Sequence, residues 1–174
     1  MEPYPWTDLE IPSAKLGNKG ILFSGIGWYT RLEFPYLNNI MEQGEYVHIE
    51  QAILKIYPEF GTYSDYNVLP DSIFLYIADE NNVVTDAVKD YLGEEEQSGK
   101  LIKDDLFFGN TYYYFDISQF IQKELGASGK NKHNLQLVFN SDDYTKTLKN
   151  MTFSDSNGQY PITLQLNYKI YESY

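Results

Sequence analysis

The sequence predicts an all-β protein, an antiparallel β-sandwich of jelly-roll-like form with one short helix near residues 117–125. Three observations predict this class. Segments in which apolar and polar residues alternate, as in strands with one buried face, occur eight or nine times at hairpin-like spacing. The 174 residues include 17 tyrosines, a residue type that favours strands. One segment has the apolar spacing of an amphipathic helix.

The longest aliphatic run, Val47–Tyr57, is predicted to be the central strand. Its alternating residues give one apolar face and one mixed face, but the alternation slips once, at Glu50–Gln51. A β-bulge or a bend at this point would place the apolar residues before and after the slip on the same face. We therefore expect an irregularity in the middle of this strand.

Two further segments are predicted to be strands of the same sandwich. Ser72–Ala78 alternates cleanly and is predicted to pair with the central strand. Residues 101–117 contain two apolar runs joined by Gly109 and Asn110, a dipeptide that favours a tight turn between antiparallel strands. We expect a hairpin there.

Helix signals occur at two places. Asp116 is predicted to cap a helix whose apolar residues at positions 117, 120, 121 and 125 form one face, and Gly126 is predicted to end it. A second helix, of two turns, is predicted for Thr85–Leu92, with a capping residue at its start and a glycine after it.

Length and composition limit the classes of protein. The chain is long enough for one domain with one core, with residues 1–19 as an extended lead-in and residues 20–174 as a single β-sandwich domain. The formal net charge of −12 disfavours nucleic acid and anionic lipid as partners. The absence of cysteine removes disulfides, thiol nucleophiles and cysteine-based zinc sites. No segment approaches the roughly 20 apolar residues of a membrane span.

No catalytic group is recognisable, and we expect the protein not to be an enzyme. The two histidines, His48 and His133, lie 85 positions apart and lack the spacing of a metal-binding or catalytic pair. His48 is expected to face solvent. Adjacent carboxylates on a strand point to opposite faces, so the acidic pairs do not form the facing carboxylates of a glycosidase. A carbohydrate-active enzyme that uses carboxylates from distant strands is the alternative.

No cofactor is expected, and structural calcium is the one alternative. Calcium takes oxygen ligands from loops. Asp142, Asp143 and Asp155 lie in predicted loops of suitable composition. Ordinary solvated loop charges explain the same residues without a metal.

Aromatic residues are the best candidates for ligand binding. Tyr112 and Tyr114 share one face of their predicted strand, and the aromatic residues that follow each of them share the other, so one pair must leave the core. Phe60, Tyr63 and Tyr66 lie in a turn-rich loop. Flat aromatic rings can stack on the apolar faces of sugars, which makes these five residues candidate glycan contacts. The alternative is that the rings fill the sheet and close the ends of the sandwich.

Several stretches occur in a recognisable order along the chain: YTRLEFPYL, VHIEQAILKIYP, LPDSIFLYI, DISQFIQKEL and ITLQLNYKIYE. In this arrangement residues 20–172 resemble the C-terminal β-sandwich of uncharacterised, lipid-anchored surface proteins of Bacteroidetes. They are also similar to the wider group of jelly-roll modules that accompany polysaccharide-processing proteins. The matching positions are mostly core and capping residues, so the resemblance assigns no functional residue.

The resemblance implies an exported protein, associated with the outer membrane or cell surface or located in the periplasm, whose partner is a glycan or another surface protein. The sequence shows neither a signal peptide nor the lipid-attachment cysteine of the family. A cytosolic protein and a mature or truncated chain are both compatible with this. The expected function is a non-catalytic binding or assembly module, and a purely structural spacer domain is a further alternative.

Overall fold

The computed structural model describes residues 10–43, 46–90, 92–104, 110–126, 133–140 and 148–171 of the chain. These residues form ten strands and one α-helix: β1 (Lys19–Phe23), β2 (Thr30–Leu32), β3 (Tyr46–Ile56), β4 (Ser72–Ala78), β5 (Val84–Ala87), β6 (Ser98–Ile102), β7 (Tyr112–Asp116), α1 (Ser118–Gly126), β8 (Asn134–Phe139), β9 (Asn150–Ser154) and β10 (Thr163–Tyr171). Three 3₁₀ segments accompany them, at Ser13–Leu16, Ser24–Ile26 and Leu37–Gln43.

The strands form two antiparallel sheets. The large sheet has eight strands in the order β10-β3-β7-β6-β4-β8-β2, with β5 paired to β4 beside this path, and β1 pairs with β9 in a two-stranded ribbon. Leu22 of β1 and Phe153 of β9 are buried in the same hydrophobic cluster as the inner residues of the large sheet. The predicted class is therefore confirmed: the protein is an all-β antiparallel sandwich with curled sheets and one short helix among the described residues.

Two predictions for the middle of the chain are wrong. β4 does not pair with the central strand β3, because β6 and β8 are its neighbours and β3 lies between β10 and β7. Alternation specifies which face of a strand is buried, but it does not specify the neighbouring strand. Residues 84–87 form β5 along β4 instead of the start of a helix. Pairing to an existing strand supplies hydrogen bonds to a segment too short to form a stable isolated helix.

The predicted irregularity of the central strand is present. Tyr168 of β10 pairs with Ile49, and Asn167 pairs with Gln51, so that Glu50 is the extra residue of a β-bulge. The inward-facing residues of β3 before and after the bulge are at most 5% exposed: Val47, Ile49, Ala52, Leu54 and Ile56. The bulge therefore keeps one continuous buried face along an eleven-residue strand.

Side chains of α1 complete the hydrogen bonding of β3 where β7 no longer pairs with it. The β7 ladder covers only Ile53–Ile56 of β3. Beyond it, the backbone N–H of Ala52 donates to Ser118 Oγ at 2.8 Å, and that of Ile49 donates to Gln122 Oε1 at 2.7 Å. Buried amides need such partners, so the helix is fixed to the strand by specific polar contacts as well as by packing.

The helix itself follows the sequence prediction closely. It spans Ser118–Gly126, and its buried residues include Phe120, Ile121 and Leu125. The carboxylate of Asp116 accepts a hydrogen bond from the backbone N–H of Ser118 at 2.9 Å, which is the contact expected of a capping side chain. In the described part of the chain, no helix combines the length and apolar character needed to cross a bilayer.

Candidate functional site

The two faces of β7 separate its aromatic residues into a buried pair and a surface pair. Tyr113 and Phe115 are fully buried, and the Tyr113 hydroxyl donates to the carbonyl oxygen of Pro70 at 2.5 Å. Tyr112 and Tyr114 lie on the opposite, outer face of the strand, where Tyr114 is 43% exposed. The buried hydroxyl has a partner, as the free energy of burial requires, and the other pair of rings remains on the surface.

The outer rings belong to a group on the large sheet that we call the tyrosine face: Tyr57, Tyr112, Tyr114, Lys55 and Lys100. The strand register places Tyr114 directly between Lys55 of β3 and Lys100 of β6. The rings of Tyr57 and Tyr112 lie 5.6 Å apart at an angle of 47°. Lys55 Nζ lies 5.1 Å from the centre of the Tyr112 ring, within the range of a cation–π contact.

The tyrosine face combines flat apolar surface with hydrogen-bond donors. The Lys55 ammonium group lies over one ring and Lys100 pairs with Tyr114 across the strands, although the whole chain carries a net charge of −12. The sheet backbone fixes the spacing of these side chains, so little ordering is needed when a flat ligand is placed on them. Such a surface can bind a ligand that presents one apolar face and several hydroxyl or carboxylate oxygens.

The other three candidate aromatics lie on the loop that follows β3. Phe60 and Tyr66 are 62% and 102% exposed. Tyr63 instead packs against the hydrophobic core, and its hydroxyl oxygen is buried without a hydrogen-bond partner. The loop is fixed to β9, since the backbone N–H of Glu59 donates to the carbonyl oxygen of Thr152 at 2.8 Å. The structure therefore places Tyr112 beside Tyr57 and Tyr114 on the same face, whereas Tyr63 packs against the hydrophobic core.

The candidate calcium ligands are only partly described. Asp142 and Asp143 lie outside the described residues. Asp155 Oδ1 accepts a hydrogen bond from the backbone N–H of Asn157 at 2.7 Å, which is the contact of an Asx turn. Across residues 10–171, leaving aside the ranges that the structure does not describe, no group of three or more His, Asp or Glu side chains is placed to hold a metal ion.

A polar site that the sequence did not reveal lies where α1 meets β8. His133 Nδ1 is 2.6 Å from Glu124 Oε1, and the His133 backbone N–H donates to Glu124 Oε2 at 3.2 Å. Glu124 is only 4% exposed. A carboxylate within the buried face of the predicted helix was the one sequence signal for such a pair, because a buried charge needs a partner. His48, in contrast, faces solvent on β3 as predicted.

His133 lines an open cleft of ≈ 220 Å³ together with Arg31, Glu33, Phe34, Pro35, Glu80 and Asn134. Within it, Arg31 Nη2 is 2.8 Å from Glu33 Oε1. Arg31 Nε and Asn134 Oδ1 are buried without a hydrogen-bond partner, a condition that costs about 1–3 kcal/mol per group. The cleft therefore combines an imidazole held by a carboxylate, two acidic side chains and polar atoms that are not satisfied.

One tyrosine of β4 has a strongly perturbed acidity. Burial, followed by a hydrogen bond to Glu96 and the negative charge of that carboxylate, raises the pKa of Tyr76 to about 12. Each of these effects opposes formation of a phenolate. Tyr76 therefore acts as a neutral hydrogen-bond donor at physiological pH.

The fold and the site define this chain as an all-β sandwich that carries tyrosine rings and lysines on the outer side of its large sheet. No protein-family model, curated protein or solved structure matches the chain. The resemblance to bacterial surface lipoproteins remains a prediction, and the function is inferred from the geometry of the side chains.

Proposed function

We propose that the chain is a non-catalytic glycan-binding module of an exported, surface-associated lipoprotein. The observation that carries the proposal is the tyrosine face, with Tyr114 between two lysines and Tyr112 beside Tyr57. Rings held on a rigid sheet can stack on sugar rings at a small cost in conformational entropy. Lys55 and Lys100 can donate to hydroxyl or carboxylate oxygens of the same glycan.

The resemblance seen in the sequence supports the exported location and the polysaccharide context of this proposal. The net charge of −12 supports an uncharged or weakly charged glycan over a polyanion as the ligand, since the two lysines give only a local positive region. We infer no catalytic role for the tyrosine face, because it presents no carboxylate pair.

A glycan array that includes host mucin and plant polysaccharides, probed with and without calcium, tests the proposal. A ligand found there is then titrated against single variants. We expect Tyr112→Ala and Tyr114→Ala each to weaken binding about tenfold, the equivalent of ~1.4 kcal/mol. Tyr66→Ala is the matched control, because Tyr66 is an exposed tyrosine on the separate loop. If Tyr66→Ala abolishes binding while the two face variants retain it, the site assignment is wrong.

A second candidate function is a carbohydrate-active hydrolase that uses the cleft around His133. The specific observation in its favour is the His133–Glu124 pair beside the side chains of Glu33 and Glu80. A histidine oriented by a carboxylate is a common arrangement in general acid–base catalysis. Hydrolysis of a polysaccharide panel that disappears with Glu80→Gln and persists with Tyr114→Ala would establish this function in place of the first.

A further inference from the structure

The two edges of the large sheet differ sharply in length and protection. β2, at one edge, has only three residues and is followed three positions later by Pro35. β10, at the other edge, has nine residues without proline or glycine. Within the described residues, β10 pairs with β3 alone. Proteins commonly protect an edge strand by making it short, charged or interrupted. β10 is neither short nor interrupted, and it carries one charged residue, Lys169.

The single charged residue of β10 does not protect the edge. Lys169 forms an ion pair with Glu50 on the neighbouring strand β3. Its ammonium group is therefore compensated within the same sheet. A lysine that protects an edge leaves an uncompensated charge for an approaching strand, and this one leaves no net charge.

The hydrophobic core is also less covered along β10 than along β3. The β3 residues that pair with the inner side chains of β10 are at most 5% exposed. The inner side chains of β10 itself remain half-buried, and Ile170 is 38% exposed. On the outer face of the sheet at the same end, the exposed rings of Tyr46 and Tyr171 lie 5.9 Å apart. An additional strand beside β10 would cover this apolar margin.

We propose that β10 pairs antiparallel with β10 of a second copy of this chain, which joins the two large sheets across a twofold axis. All nine residues of Thr163–Tyr171 pair with the partner's strand only when the twofold axis passes through the middle residue, Asn167. In that register inner apolar residues face inner apolar residues, since residues opposite each other share a face. Lys169 faces the partner's Gln165, so that no like charges meet.

The second copy is favoured over a different protein strand by this self-complementarity. A twofold interface requires one surface that fits itself, and the nine-residue alternation of β10 satisfies the requirement along its whole length. Two chains of charge −12 nevertheless repel each other at long range. Because salt screens this repulsion over about 10 Å at 0.1 M, we expect the dimer to strengthen as salt is added.

The absence of cysteine from the chain makes disulfide cross-linking a clean test of the register. The Asn167→Cys variant places two thiols on the axis, where Cα atoms of opposite residues lie about 4.5–5.5 Å apart, a separation that a disulfide can bridge. We expect rapid oxidation to a covalent dimer. Gln51→Cys is the matched control: it pairs with Asn167 one strand inward, which leaves the two thiols about 14 Å apart.

A mixed experiment fixes the register independently. Gln165→Cys or Lys169→Cys alone should cross-link poorly, because the two identical positions are about 13 Å apart along the paired strands. A mixture of the two variants should cross-link efficiently. Efficient self-linking of Gln165→Cys together with no linking in the mixture would overturn the proposed register.

Mass measurement by light scattering tests the dimer without a covalent bond. We expect the unmodified chain to approach twice 20.3 kDa as concentration and salt increase. Asn167→Glu, which would oppose two carboxylates on the axis, should return it to the monomer mass, whereas Gln51→Glu adds the same charge to the same outer face and should not. A monomer mass at every concentration, with Asn167→Cys oxidising no faster than Gln51→Cys, would overturn the proposal.

Discussion

The inward position of Tyr113 predicts a large difference between two neighbouring conservative variants. Tyr113→Phe removes a buried hydroxyl that donates to the carbonyl oxygen of Pro70 at 2.5 Å. Loss of this bond leaves that carbonyl without the donor, which costs about 1–3 kcal/mol. Tyr114→Phe removes a hydroxyl from a ring that is 43% exposed, and a surface change of this kind alters the free energy of unfolding by about 0.5 kcal/mol or less.

Urea denaturation followed by near-ultraviolet circular dichroism measures both variants. With a slope of about 2 kcal/mol per molar urea, we expect the midpoint of Tyr113→Phe to fall by about 0.5–1.5 M and that of Tyr114→Phe to change by no more than about 0.25 M. The slopes should remain equal, because the two variants expose the same surface on unfolding. Equal midpoints for the two variants, or a larger loss for Tyr114→Phe, would refute the assignment of the inner and outer faces of β7.

Three further predictions concern other parts of the sheet. Gly99→Ala would place a methyl group in overlap with the ring of Phe115, so we expect a loss of about 1–3 kcal/mol in the free energy of unfolding, measured by thermal denaturation. The folded pKa of Tyr76 is raised to about 12, mainly by burial and also by Glu96, so Tyr76 contributes stability below pH 10 that is lost as pH rises from 10 to 12. Tyr76→Phe should make the dependence of the free energy of unfolding on pH flatter over this range. An unchanged pH dependence would contradict the raised pKa of Tyr76. Deletion of Glu50 removes the bulge and turns the side chains of Val47 and Ile49 outward, which should lower the free energy of unfolding by about 1.5–3 kcal/mol for each. An unchanged free energy of unfolding in urea denaturation would contradict the role of the bulge.

Local features of the fold could be predicted from the sequence because they depend on local periodicity. The slip of alternation at Glu50–Gln51 predicted the bulge, and Asp116 followed by spaced apolar residues predicted α1. Both signals arise within a few residues of the chain. The neighbours of Ser72–Ala78 could not be predicted in this way, because several strands with the same alternation compete for one position in the sheet.

The candidate site was less accessible to sequence reasoning than the fold. Alternation showed that either Tyr112 and Tyr114 or Tyr113 and Phe115 must leave the core, but it did not show which pair. Which pair is buried depends on the register of β7 with its neighbours β3 and β6. That register places Tyr114 beside Lys55 and Lys100 on the outer side of the sheet. The calcium interpretation stays a prediction, since two of its three aspartates lie outside the described residues.

The cleft around His133 could not be predicted from the sequence for a different reason. Its lining comes from β2, the turn after β4 and the start of β8, segments that are up to about a hundred positions apart in the chain. No spacing rule connects such residues. Glu124 on the buried side of an amphipathic helix was a usable signal, but it indicates a partner for the carboxylate without identifying it.

Glycan binding at the tyrosine face is tested most directly by one array experiment on matched double variants. The wild-type chain, Tyr112→Ala/Tyr114→Ala and Phe60→Ala/Tyr66→Ala are compared on the same glycans. We predict that the wild type and the loop variant bind the same glycans and that the variant of the tyrosine face binds none. Binding that survives in the face variant and disappears in the loop variant, or a wild-type chain that binds no glycan, would contradict the proposed function.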